Sequence, residues 1–147
     1  MIKMTNYSKK DVCAAFVLYN PDKEQFLRSL SSARSAGLNV VVVDNTPSRL
    51  LKFDIVSGVT YIANGDNLGI AKALNQPAEE SRSLGFRSLL TMDQDSTFPS
   101  DFVERALSVF GLCDNVGIVG PTVKFWESFK IEEDRNDVDN GRSFPCD

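Results

Sequence analysis

Histidine is absent from all 147 residues. That excludes Ser-His-Asp and Cys-His nucleophilic machinery within this chain, and every imidazole-held metal site with it. Cysteine is scarce: Cys13, Cys113 and Cys146 lie far apart with no C-x-x-C spacing, which argues against structural zinc and against a disulfide framework. Any metal must therefore be held by oxygen, which favours a hard cation, Mg2+ or Mn2+. No apolar run is long enough for a membrane span, and "MIKMTNYSKKD" carries no signal-peptide apolar region. The expectation is a cytoplasmic chain without a span. The net charge of −4 offers no basic stripe for nucleic acid.

What is present is ordinary globular material, 42% hydrophobic and 24% charged, at a length that suits one domain. "DVCAAFVLYN" opens with a continuous apolar run that predicts a strand buried on both faces. A helix follows, with Asp22 and Gln25 as its cap pair, Phe26, Leu27, Leu30 and Ala33 on one face, and Gly37 at its end. "NVVVVDN" and "VTYIAN" predict the next two strands. "NLGIAKALNQPAEESRSLG" predicts a second helix with Asn67 as N-cap and Gly85 as stop, interrupted at Pro77. "FRSLLTMD" predicts a fourth strand and "PSDFVERALSVFG" a third helix capped by Ser100. "NVGIVGP" predicts a fifth strand. Cys13 should be a small buried hydrophobe.

Nearly all-apolar strands alternating with helices imply an α/β fold, a mostly parallel sheet with helices on both faces. Such sheets bind ligands at the carboxyl ends of their strands. Those ends read Tyr19-Asn20, Asp44-Asn45-Thr46, Asn64-Gly65-Asp66-Asn67 and Asp93-Gln94-Asp95-Ser96, so polar residues gather at one rim. After residue 121 the pattern fails. Phe125, Trp126 and Phe129 are available for a last element, and residues 132–139 form a dense acidic run that reads as a solvated loop.

"LLTMDQDSTF" places two aspartates one residue apart after an apolar strand. Like charges aimed at one place are costly unless a cation sits between them or one holds a proton. In one reading Asp95, assisted by Asp93, holds a divalent ion that bridges a nucleoside diphosphate leaving group. In another the same residues serve an aspartyl-phosphate phosphohydrolase of the haloacid-dehalogenase type, Asp93 as nucleophile and Asp95 as acid/base. In the plainest, Asp95 or Ser96 shapes a turn before Pro99. Order favours the first: the motif follows the fourth strand, and no second strand-end acidic pair comes after it.

"FVLYNPD", "VVVVDNTPS", "NGDNLGIAKALN", "SLLTMDQDSTFPSDFV" and "NVGIVGP", in that order across residues 14–121, together resemble family 2 glycosyltransferases of the GT-A fold, rhamnosyltransferase-like branch. The resemblance implies a Rossmann-like nucleotide-sugar-binding half over residues 1–121, with residues 122–147 as an irregular acidic tail opening an acceptor-binding region. It places Tyr19 and Asn20 against the nucleoside, and Asp44 on the base or ribose, whose donors suit a carboxylate. Asp66 and Asn67 would flank the base, and Gly69 would let backbone approach the donor. Asp93 and Asp95 match the D-x-D pair, with Asp95 the direct metal ligand and Asp93 also touching substrate.

The implied reaction moves a sugar from a dTDP- or UDP-linked donor, dTDP-rhamnose by branch, to a glycan or lipid-linked acceptor with inversion. Such an acceptor would bring the chain to the inner face of the membrane. Inverting members use a carboxylate base in the acceptor half; Glu127, Glu132, Glu133 and Asp134 do not fall in a segment that matches it, so no catalytic residue is assigned. A third expectation is a catalytically silent nucleotide-binding module that self-associates through its uncovered surface into a homo-oligomer.

Overall fold

A computed structural model describes residues 7–47, 58–110 and 116–121. A single 3-10 turn, Lys9–Asp11, leads into β1 (Val12–Leu18), followed by α1 (Lys23–Ser35), β2 (Asn39–Asp44), β3 (Val59–Ala63), α2 (Ile70–Ser83), β4 (Ser88–Met92) and α3 (Phe102–Phe110). The four strands form one sheet in the order β3-β2-β1-β4. Every pairing is parallel: Phe16 aligns with Val42 on one side and Met92 on the other, and Val42 aligns with Tyr61.

The central strand explains the apolar sequence of β1. Alternate residues of a strand face opposite sides, so a strand with helices on both faces needs hydrophobes at every position. Ala14, Phe16 and Leu18 pack with Val40, Val42 and the α1 residues Phe26, Leu30 and Ala33, and with Val103 of α3. Cys13, Val41 and Val43 face the other way, against Ala73 of α2. Phe16 and Phe26 meet edge to face at 5.6 Å between ring centroids. Burial inside this second layer pushes the Cys13 thiol up to about 11. Leu27, expected on the core face of α1, is 42% exposed instead; the buried stripe runs through Phe26, Ser29, Leu30 and Ala33, the i, i+3, i+4, i+7 set that one helical face allows.

The helix ends carry their own chemistry. Asp22 accepts a hydrogen bond from the Gln25 N–H at 2.9 Å, capping α1 as the sequence predicts. Gly37 and Gly85 follow α1 and α2 with φ of 81° and 87°. Leu38 N–H bonds Ala33 O at 3.2 Å and Phe86 N–H bonds Ser81 O at 2.9 Å, closing both helices with the same left-handed wrap. At α2 the start differs from expectation. The N-cap is Gly69, not Asn67; the Asn67 side chain accepts from Asn45 Nδ2 and from the Gly69 N–H itself, one residue short of the helix.

Pro77 does not break α2, which runs unbroken from Ile70 to Ser83. The ring is buried among the helix's inward residues, so packing against the sheet offsets the missing N–H. α3 begins at Phe102, one residue later than a Ser100 cap requires. The fifth strand is a further correction: residues 116–121 are irregular, and Ile118 is 92% exposed. Among the described residues this run has no partner strand and so no ladder to join. Cys113, Cys146, the aromatic trio and the acidic run lie outside the described residues. Among those described, no helix is long and apolar enough to cross a membrane.

Candidate functional site

Topology selects one rim. α1 carries the chain from β1 to β2 on one face; α2 carries it from β3 back across the sheet to β4 on the other. The connections diverge from β1, so the carboxyl ends of β1 and β4 open into a crevice. A cleft of about 890 Å³ lies there. Tyr19, Asn67, Gly69, Asp93 and Asp95 line it together, along with Asn45 and Gln94. Val17, Ile70, Leu74 and Met92 add apolar surface to its lining.

Asn20, Asp44 and Asp66 do not line the cleft; each holds its surroundings in shape. Asp44 is 2% exposed. One carboxylate oxygen accepts from the Thr46 N–H at 3.0 Å, the other from the Tyr61 hydroxyl. The first bond is the turn into "NTPS" that short acidic side chains favour. Thr46 Oγ1 in turn accepts from the Asn20 N–H at 3.0 Å. Asn20 itself has φ of 43°, a left-handed conformation that asparagine tolerates better than most residues. Asp66 is exposed and accepts from the Asn67 N–H at 2.7 Å.

A network of carboxamides fixes the loop before α2. Asn45 Oδ1 accepts from Asn64 Nδ2 at 3.1 Å and from the Leu68 N–H at 3.0 Å. Asn45 Nδ2 donates to Asn67 Oδ1 at 2.8 Å, which also accepts from the Gly69 N–H at 3.0 Å. Asn64 and Gln76 exchange amide bonds at 2.9 and 2.8 Å. The loop is thereby tied to the end of β2 and to the middle of α2. Gly69 closes it with φ of 81° and ψ of 153°, a region essentially reserved for glycine. Among the described residues, nothing beyond its chain neighbours lies within 4 Å of the position a Cβ would take there. The constraint at Gly69 is thus conformational.

Asp93 and Asp95 are both exposed on the cleft. Among the described residues no three carboxylate or thiol groups converge as a ready-made metal cage. Two carboxylates on an open rim suit Mg2+ or Mn2+ in its usual protein setting, where one or two acids hold the ion and phosphates and waters complete the octahedron. The donor set fits a metal brought together with a diphosphate.

Sequence reading placed Asn45, Asn64 and Gln94 at the strand ends but gave them no task, and did not single out Tyr61 or Gln76. Their partners are 12 to 75 residues away in the chain. A lone amide or phenol in a sequence gives no sign of such a partner.

A parallel sheet wound in both directions from its centre, with an acid-rimmed cleft at the divergence, defines a Rossmann-like ligand-binding α/β protein. The chain belongs to the family described as Glycosyl transferase family 2, which it matches over residues 13–143. It is 32% identical over 113 residues to the dTDP-rhamnosyl transferase RfbF of Shigella flexneri; the alignment covers 76% of this chain and 38% of that protein. The chain thus spans well under half the length of this relative. No solved structure matches it. Family membership leaves the aspartyl-phosphate alternative without support.

Proposed function

We propose that this chain supplies the donor site of a metal-dependent glycosyltransferase acting on a nucleoside-diphosphate sugar, with dTDP-rhamnose as the donor. The observation that carries the reading is the convergence of Tyr19, Asn67, Gly69, Asp93 and Asp95 on one cleft at the switch point. The relative's dTDP-rhamnosyl specificity supports the choice of sugar.

In this reading the nucleoside lies toward Tyr19 and the loop over residues 64–69, and the diphosphate toward Asp93 and Asp95. The backbone at Gly69 stands at the start of α2, where free N–H groups and the helix dipole favour an anion. Mg2+ or Mn2+, when bound, neutralises charge on the departing nucleoside diphosphate. Asp95 would hold it directly and Asp93 would share ligation with substrate contact. Transfer to a glycan or lipid-linked acceptor is direct and inverting. The base that deprotonates the acceptor hydroxyl is proposed to come from outside residues 1–121, and the reaction to take place in the cytoplasm at the inner membrane face.

Calorimetric titration with dTDP, with and without Mn2+, tests the assignment. Mn2+ should tighten binding at least tenfold, and Asp95→Ala should erase most of that gain. Affinity indifferent to both the metal and Asp95 would overturn the reading.

A further inference from the structure

The ladder between β1 and β4 ends at the Phe16–Met92 pair. β1 continues to Leu18, and the backbone of Tyr19 lies one residue further, where β4 has already turned away at Asp93. Gln94 fills the gap. Its Oε1 accepts from the Tyr19 N–H at 2.9 Å, and its Nε2 donates to the Tyr19 carbonyl at 3.4 Å. A carboxamide carries one donor and one acceptor in a single plane, as a peptide group does. The side chain therefore extends the parallel ladder past the point where backbone pairing stops.

We propose that Gln94 is a positioning residue: by clamping the Tyr19 peptide it fixes the distance between the nucleoside side of the cleft and the Asp93/Asp95 pair. This rests on the nucleotide-sugar reading above and adds a residue to it. The residue between the two acids is held by a neighbouring strand. No hydrogen bond or ion pair from the described residues engages either flanking carboxylate. Ordering the pair in this way costs neither of them a ligand position. A nucleoside diphosphate must reach the base contacts and the metal at once, so its metal-linked affinity depends on that spacing more than its metal-free affinity does.

The test compares the wild-type chain with Gln94→Met, which keeps the volume and removes both bonds. dTDP is titrated with and without Mn2+, and Tyr19 amide exchange is followed by NMR. The wild type should show a protected Tyr19 amide and a metal-dependent gain in affinity. In Gln94→Met that gain should fall roughly tenfold, because the unclamped chain must then order the Tyr19–Asp93 spacing on binding, while metal-free affinity stays within about threefold. A Tyr19 amide that exchanges freely in the wild type overturns the clamp without recourse to any variant. An unchanged metal gain in a folded Gln94→Met also overturns it, leaving the nucleotide reading intact. Failure of the wild type to bind dTDP overturns that reading, and the positioning role with it.

Discussion

Cys13 shows how a single residue reports on the layer around it. Its thiol is fully buried between β2 and α2, and burial holds it protonated up to about 11. The unfolded thiol ionises lower, near 8.5. Between those values the folded state binds the extra proton, so stability should fall as pH rises through that window, by at most about 1.4 kcal/mol per pH unit. Urea midpoints measured from pH 8 to 11 should show the decline, and Cys13→Val should flatten it. Asp44 gives the complementary case of a buried carboxyl group with both oxygens occupied. Tyr61→Phe removes one donor and leaves that oxygen buried, which should cost about 1–3 kcal/mol in urea unfolding. The sequence shows Asp44 as a strand-end acid, and the family resemblance implies a contact with the base or ribose. Its partners within the chain are a threonine two residues on and a tyrosine from the next strand.

At the level of elements, glycines decide where helices stop and where the cleft begins. Gly37 and Gly85 sit at positive φ with open space where a Cβ would go. Replacing either with alanine should cost about 1–2 kcal/mol through backbone strain alone, and asparagine should cost less because it tolerates the left-handed region. Gly69 occupies a region more restrictive than theirs. Gly69→Ala should therefore destabilise by about 1–3 kcal/mol and weaken dTDP binding as well, since the loop it closes lines the cleft. Comparing unfolding midpoints with binding isotherms across the three variants checks the distinction: only Gly69→Ala should move both. Four of the five expected strands and all three helices are legible because apolar periodicity is local. β1, α1 and the two glycine stops appear where the residues place them. The start of α2 does not: Asn67 accepts from the Gly69 N–H as a cap would, but it also binds Asn45, and the helix begins only after the turn at Gly69. Pro77 misled for the same reason, since burial against the sheet is a tertiary term that the local pattern does not contain.

Across the whole molecule the two rims of the sheet divide their labour, and this yields the last prediction. At the amino-terminal rim the polar groups pair with one another. Asp11 accepts from the Ser8 N–H and hydroxyl, both at 2.8 Å, and faces Arg87 at 3.8 Å, while Lys9 pairs with Glu104. The bonds from Ser8 hold the Asp11 carboxyl below the usual carboxylate range. At the carboxyl-terminal rim Asp93 and Asp95 stand on the cleft without such company among the described residues. The first rim should therefore govern stability and the second affinity. For Asp11 the folded state has the lower pKa, so its contribution is present above the unfolded value of about 3.9 and is lost as pH falls through the folded one. Asp11→Asn should flatten the acid limb of stability and leave dTDP affinity unchanged. Asp95→Ala should do the reverse: it removes an exposed side chain with no hydrogen bond or ion pair to the described residues, so the metal-free chain should unfold no more readily than the wild type. Chemical unfolding from pH 2 to 6, paired with titrations of dTDP and Mn2+ at pH 7, separates the two. Equal loss of stability in both variants would mean that the acids at the second rim are part of the scaffold, and the electrostatic case for a cation at that rim would fail.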